Sequence, residues 1–359
     1  MNEQVIPIGG RLPSESQLMS RFSSSRTTVR QALSELASEG FISKRQGVGT
    51  FRIAPADRPG RVQRSMLVGV WVNWPSGPLY GPILDGIRGE LALWGYHVVV
   101  EGSLEAGSEH RGVLSLIRKG MDGFIVSPSS DPSDSHAPIG EILERRIPLV
   151  LIDKRLPGCE TDLVATNSRL GAEDLVSHLV ELGHRRIGFI GTANVSTVEE
   201  RLQGYRVTLL RNRLPVQPEW IKVSSEVYAD YGRQAARELL SLPLGQRPTA
   251  IFGANDPIAE TAADVARGLG LRVPEDVSVV GFDSAGFGLE ESDWLTTYAQ
   301  PKYRIGQQAA ALLMRRLHNP TPGIETVLLE GELIRRSSTA PPPPDAQPVQ
   351  TADGIAPGD

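Results

Sequence analysis

From residue 67 onward, polar side chains fall at the ends of apolar runs. Asn73 follows "LVGVWV", Ser127 follows "GFIV", Asp153 ends "PLVLID", Asn255 and Asp256 follow "AIFGA", and Asp283 ends "SVVGFD". In an open α/β sheet, ligands sit outside the carboxyl ends of the strands. Carboxylates and amides there accept and donate in the pairs that a hydroxyl-rich ligand offers. The simpler role for each is to cap the helix that follows. Capping is the reading for Asp256, whereas Asp153 and Asp283 precede loops with no obvious helix start, which favours binding. A second set lies near the amino terminus. Thr27, Arg30, Gln31 and Ser34 share one helical face with Arg26 at its start, and Lys44, Arg45 and Arg52 surround a turn carrying Gly47 and Gly49. Arginine forks onto guanine and glutamine onto adenine in the major groove, while threonine and a helix amino terminus hold phosphate. A basic hairpin tip suits phosphate or a minor groove.

The elements that must position these groups are legible in outline. Ser14 and Gln17 form a capping box that starts a helix carrying Leu18 and Phe22 on one face, and Ser25 caps a second helix after the turn "SSS". In the second helix Val29, Leu33 and Leu36, at i, i+4 and i+7, are expected to face inward. Gly40 ends it, and Phe41, Ile42, Phe51 and Ile53 anchor two strands. Residues 1–52 thus read as a helix-turn-helix with a hairpin, and 53–65 as a linker. Residues 66–339 alternate β-branched runs with amphipathic stretches, the pattern of a doubly wound α/β fold with parallel strands covered on both faces. The proline-rich end from about Ser337, set apart as a tail over 340–359, offers no large apolar side chains and is expected to be disordered.

A chain of 359 residues can hold two or three domains. Its net charge of −5 is uneven: residues 1–64 carry ten basic and five acidic side chains, leaving −10 for the rest. A basic head on an acidic body suggests a head that meets a polyanion. Cys159 is the single cysteine, which excludes an intrachain disulfide and fits a reducing cytoplasm. The first residues lack the pattern of a secretory signal, and no stretch approaches membrane-spanning length. Neither "GxxxxGK", "GxSxG" nor "HExxH" occurs, and the six histidines show no metal-ligand spacing, so no cofactor or metal is expected. His184, where a helix gives way to a strand, reads as structural. Asp153 and Asp283 could be imagined as a glycosidase pair, but the expectation is a protein that is not an enzyme. The rival reading is a cytoplasmic sugar-binding or sugar-processing protein without DNA-binding activity.

The string "RLPSESQLMSRFSSSRTTVRQALSELASEGFISKRQGVGTF" (11–51) resembles the winged helix-turn-helix of the GntR family of bacterial regulators. The resemblance implies DNA contacts from Arg26, Thr27, Thr28 and Arg30 on the recognition helix and from Gln46, Gly47 and Gly49 in the wing. It also implies a helix before "LPSE", for which only residues 1–11 remain. The expectation is therefore either a start upstream or a head lacking its first helix, with Leu12, Leu18 and Leu33 partly uncovered.

The segments "LVELGHRRIGFIG", "RLQGYRVTL", "TAIFGANDPIAETA", "GLRVPEDVSVVGFDSAG", "LTTYAQPKYRIGQQAAALL" and "RRSST" look like the effector domain of LacI-type repressors, with its periplasmic-binding-protein-like fold. That likeness implies lobe one at about 66–164 and 298–327, lobe two at about 165–297 and 328–339, and crossings near Val164, Thr297 and Val327. The ligand contacts it implies are Asp153, Arg201, Asn255, Asp283 and Gln300, joined in lobe one by Asn73, Tyr80 and Ser127. Two positions depart from the family pattern: Lys154 stands where Arg usually follows the aspartate, and Ser284 where a second Asp is frequent. A GntR-type head on a LacI-type body is similar to the AraR-type arabinose repressors. The pairing implies a homodimeric, ligand-responsive repressor that binds operator DNA and a sugar, with an arabinose-like pentose as the first candidate.

Overall fold

A computed structural model describes residues 6–38, 41–45, 49–53, 64–103, 105, 107–130, 132–225, 230–284, 293–319 and 323–344. It divides into two compact units, Met1–Ser65 and Met66–Asp359.

In the head, α1 (Glu15–Phe22) begins with the expected capping box: Ser14 N–H donates to Gln17 Oε1 at 2.8 Å, and Gln17 N–H to Ser14 Oγ at 3.3 Å. Ser23 ends it in the left-handed region at φ 48°. Ser25 Oγ accepts the Thr28 amide at 3.2 Å at the start of α2 (Arg26–Ser38). β1 (Ile42–Arg45) and β2 (Gly49–Arg52) form an antiparallel hairpin in which Ile42 faces Arg52 and Arg45 faces Gly49. Arg11 bridges Phe51, so the segment before α1 lines the hairpin as a third, short partner. Val29, Leu33 and Ile42 are the buried centre, with Leu12, Leu18, Met19, Ala37 and Phe41 packed around them. Two expectations are corrected here. Leu33 is buried rather than partly uncovered, and Leu36 is 37% exposed rather than inward-facing. The inward stripe runs along the i, i+4, i+8 ridge of Val29, Leu33 and Ala37, which meets the hairpin through Ile42 and Phe41. Phe22 also faces outward, at 64% exposure.

Among the described residues the body holds two six-stranded sheets. The first is built from β3 (Leu67–Trp71), β4 (His97–Glu101), β5 (Gly123–Val126), β6 (Leu149–Ile152), β7 (Asp162–Thr166) and β13 (Thr326–Leu329), in the order β13-β7-β6-β5-β3-β4. All its pairings are parallel. Successive residues of β6 enter different cores. Val150 and Ile152 pack with the helices Tyr80–Ala92 and Lys302–His318, and Leu149 and Leu151 with Ser108–Arg118 and Pro132–Glu144. A sheet buried on both faces explains why its strands read as unbroken apolar runs.

The second sheet contains β8 (Ile187–Thr192), β9 (Ile221–Ser224), β10 (Ala250–Gly253), β11 (Ser278–Asp283), β12 (Thr296–Ala299) and β14 (Glu332–Ile334), in the order β14-β12-β11-β10-β8-β9. Only β14 runs antiparallel to its neighbour. Its helices include Ser168–Glu181, Ser196–Arg211, Arg233–Leu240 and Asp256–Gly268. The chain passes between the sheets after Thr166, between Ala299 and Lys302, and after Leu329. Val164, Thr297 and Val327 lie inside strands, because each strand continues for two further residues beyond the expected crossing.

The expected disorder from about Ser337 is also corrected. Ser338 is fully buried, with its hydroxyl donating to Val279 O at 2.6 Å and accepting the Thr296 amide at 2.8 Å. Buried His184 holds Ala340 O through Nε2 at 2.9 Å and Thr249 Oγ1 through Nδ1 at 2.9 Å. Pro342 is buried as well. Small polar side chains and backbone groups fasten this stretch, which apolar counting does not detect. Residues 345–359, the remainder of the expected tail, and 54–63 of the expected linker lie outside the described residues.

Candidate functional site

The head places Arg26, Thr27, Arg30, Gln31, Ser34 and Lys44 around one open concavity, together with Glu15 from α1. All but Lys44 and Glu15 come from a single face of α2. Arg30 Nε donates to Glu15 Oε2 at 3.0 Å, and Arg26 Nε lies 3.6 Å from the same oxygen. The Arg30 hydrogen bond is the main cause that holds the Glu15 carboxyl below its ordinary pKa. Both arginines are more than half exposed, so this pairing constrains them weakly and leaves their outer donors available. Thr28 is not part of the concavity: its Oγ1 shares a 2.8 Å hydrogen bond with Ser25 Oγ at the helix cap. Gly49 sits at φ 135°, where a Cβ would come within 2.6 Å of Arg11 Nε. Arg45 is placed by its strand pairing with Gly49, and Gln46 and Gly47 lie outside the described residues.

Between the two sheets of the body lies a cavity of about 190 Å³ whose lining includes Asn73, Tyr80, Asp153, Arg201, Asn255 and Asp283. These are six of the eight expected ligand contacts. The other two stand directly behind them. Ser127 and Tyr80 share a hydrogen bond at 2.8 Å, and Tyr80 OH donates to Asp153 Oδ2 at 3.1 Å, so Ser127 is the donor to the phenol oxygen. Gln300 Nε2 donates to Asp283 Oδ1 at 2.7 Å, while its Oε1 accepts from Thr166 Oγ1. Arg201, 3% exposed, donates from Nη2 to Asp283 Oδ1 at 3.0 Å and from Nη1 to Ala254 O. Its guanidinium carbon stands 3.6 Å from the centre of the Phe282 ring, and Nε is buried with no hydrogen-bond partner among the described residues. Burial, foremost, pushes the Asp283 carboxyl up in spite of Arg201, and Asp153 adds to the rise. Burial and the Asp153 charge raise the Tyr80 phenol well above its ordinary value.

Both aspartates sit on strained backbone. Asp153 has φ 67° and forms the centre of a tight turn in which Lys154 N–H donates to Ile152 O at 2.7 Å. Asp283 has φ 108° and is followed by Ser284 at φ 51°. Non-glycine residues in this region cost about 1–3 kcal/mol each and gather where side chains must be aimed. Asp153, on its turn, and Asp283, as the last residue of its strand, both line the gap between the sheets.

Asp256 is corrected from cap to buttress. The cap is Asn255, whose Oδ1 accepts the Ile258 amide at 3.0 Å. Asp256 is the first helical residue, 1% exposed, and accepts from Thr297 Oγ1 at 2.6 Å. With Oδ1 occupied, Asn255 has Nδ2 left as the group that can donate into the cavity.

Residues 1–51 match the family described as bacterial regulatory proteins, gntR family, and residues 176–339 match the periplasmic binding protein-like domain. The chain is 32% identical over 336 residues to the arabinose metabolism transcriptional repressor of Geobacillus stearothermophilus, an alignment covering 92% of this chain and 91% of that protein. The chain belongs to the GntR-headed, LacI-type transcriptional repressors. This repressor is also 35% identical over 266 residues to the HTH-type transcriptional repressor CytR of Escherichia coli K12, covering 73% of this chain and 76% of CytR. Its structure resembles a LacI family transcriptional regulator from Enterococcus faecium with bound ribose, at a TM-score of 0.63 and 26% identity over 77% of this chain and 99% of that one.

In the repressor's cavity, Lys154, Ser130, Thr192, Thr197 and Tyr231 were not among the expected contacts. Ser130 and Tyr231 come from connecting segments, whose placement no periodicity reveals. Lys154 did carry a signal, since it follows a strand-end aspartate and breaks the family pattern. Cys159 is half-buried, and burial raises its thiol, which disfavours the thiolate a nucleophile needs.

Proposed function

We propose that this repressor binds operator DNA through the outer face of α2 and the adjoining hairpin, and a monosaccharide in the cavity between its lobes. The first candidate is an arabinose-like pentose. It acts as a cytoplasmic homodimer, presenting two heads to two half-sites, and performs no catalysis. In the head, the supporting observation is one exposed face carrying two arginines, a threonine, a glutamine and a serine beside Lys44. That is a donor-rich surface of the kind that fits a major groove. In the body, a cavity of about 190 Å³ is roughly the space of six waters, which suits a single sugar ring.

The observation that carries the regulatory reading is a chain of hydrogen bonds. Arg201 and Asp283 belong to the second lobe, Gln300 to a crossover, and Thr166 to the end of a first-lobe strand. A ligand that touches Arg201 or Asp283 therefore acts on groups tied to both lobes at the point where the chain passes between them. Binding favours one lobe arrangement, and DNA affinity changes by no more than the ligand's differential affinity for the two arrangements. Calorimetry of the full chain against pentoses and hexoses, followed by retardation of its own promoter fragment with and without the sugar that binds, tests this. Saturable binding of one sugar and a changed retardation are expected. A promoter complex indifferent to every sugar that binds would contradict it.

A further inference from the structure

The chain returns to the first lobe through an inverse γ-turn. Lys302 N–H donates to Gln300 O at 2.8 Å, and Pro301 between them has φ −77° and ψ 59°. The two residues flanking the proline reach the same place. Gln300 Nε2 donates to Asp283 Oδ1 at 2.7 Å, and Lys302 Nζ donates to Ser284 O at 2.6 Å. Ser284 N–H is held as well, by Thr297 Oγ1 at 3.3 Å, and Thr297 in turn donates to Asp256. The strained pair Asp283 and Ser284 is therefore gripped at its carboxylate, its amide and its carbonyl by the stretch that carries the chain between lobes.

Lysine is an unexpected residue at position 302. It opens the helix Lys302–His318, where the dipole favours an anion, and it is 8% exposed, where an ammonium is costly. Packing alone would be served by an apolar side chain. The helix belongs to the first lobe, since Ile305, Ala309, Leu312 and Leu313 pack in one core with Val150 and Ile152 of β6. The ammonium at its start nevertheless ends on the second-lobe turn that closes β11, and Lys302 does not line the cavity. It acts on the site through Asp283 and Ser284. Its charge also works with Arg201, and against Asp153, to hold down a carboxyl that burial pushes up. Arg201 and Gln300 both donate to Asp283 Oδ1, an arrangement that suits the ionised, acceptor-only carboxylate.

We propose that Lys302 is a positioning residue: from a first-lobe helix it fixes the Asp283–Ser284 turn of the second lobe, so that Asp283 meets a sugar hydroxyl in one orientation, and it does so without touching the sugar. The inference rests on the sugar reading above and adds to it a residue outside the cavity. Because ammonium and turn belong to different lobes, a change of lobe arrangement strains or releases this hydrogen bond, which ties the state of Asp283 to that arrangement.

The test is calorimetry of the full chain, wild type and Lys302→Met, with L-arabinose, D-ribose, D-xylose and D-galactose over a series of pH values. The charged and titratable groups that act on Asp283 or share its cavity are Arg201, Asp153, Lys154, Tyr80 and Lys302, and the comparison removes Lys302 alone. Sugar affinity is expected to fall as pH is lowered and Asp283 takes up a proton. Without the ammonium that proton binds more readily, so K302M binds about tenfold more weakly near neutral pH, and its decline begins at a higher pH than in wild type. Thermal unfolding reports whether K302M folds. If it does not, Lys302→Gln, which keeps a donor but no charge, takes its place with the same displacement expected. Affinity matching wild type at every pH would overturn the inference while leaving the sugar reading in place. A loss of equal size at every pH would overturn it too, because a lysine that only packs predicts that. No binding of any sugar by the wild type would overturn the sugar reading itself, and this inference with it.

Discussion

The head and the cavity solve opposite problems with similar residues. In the head, Arg26 and Arg30 are more than half exposed and share one carboxylate. In the cavity, Arg201 is buried, stacked on Phe282 and bonded to Asp283 and Ala254. An exposed guanidinium remains hydrated and adaptable, which suits a long polyanion whose binding energy comes largely from counterion release. A buried guanidinium has its geometry fixed before the ligand arrives, which suits a small molecule recognised by the direction of its hydrogen bonds. The contrast is one of preorganisation.

Breaking the buried arrangement produces the largest expected effect. Arg201→Met leaves Asp283 without its ion-pair partner, with only the more distant cation Lys302 acting on it, so the effector unit loses up to about 3–5 kcal/mol of stability and sugar binding is abolished, as read by thermal unfolding and calorimetry. Next comes His184, whose pKa is lowered to about 4, chiefly by burial. The unfolded chain takes up that proton near the ordinary 6.5 while the folded protein resists it. Stability is thus complete above pH 6.5, falls as pH drops toward about 4, and levels off below. Up to about 3 kcal/mol is at stake over that window. His184→Gln removes the titrating group, so the acid-dependent part of the unfolding curve flattens. A slope identical to wild type would show that other groups carry it.

In the head, Arg30→Ala is expected to cost about 1–3 kcal/mol of operator affinity and to relax preference at one base pair, measured by anisotropy on sequence variants, with sugar affinity unaltered. The smallest effect sharpens the comparison most. Glu15→Gln removes the carboxylate that competes for both arginines, so DNA binding tightens slightly, by less than Arg30→Ala weakens it. A weakening would mean that Glu15 holds Arg30 in its reading position, and that the head is preorganised after all.

Much of this division was visible in the sequence, for identifiable reasons. The capping box at Ser14 and the apolar runs of the body are local patterns, and they appear as expected. The strand-end aspartates were found because strand direction alone decides where they emerge. Three features were not legible. The positive φ at Asp153 and Asp283 leaves no compositional trace, since only glycine advertises that conformation. The packing of residues 337–344 depends on hydrogen bonds to His184, Thr296 and Val279, which are distant in sequence. Leu36 is an apolar residue on the expected face, but its exposure depends on what the neighbouring elements cover, and periodicity cannot report that.

The central claim is that an adaptable cationic head binds DNA under the control of a preorganised sugar cavity. Its most direct test is operator affinity of the full chain, measured over a series of salt concentrations with and without a saturating neutral sugar. The account predicts that log K falls linearly with log salt and that the sugar shifts K by about tenfold or more at every salt concentration. Affinity insensitive to salt, or curves that superimpose with and without the sugar, would contradict it.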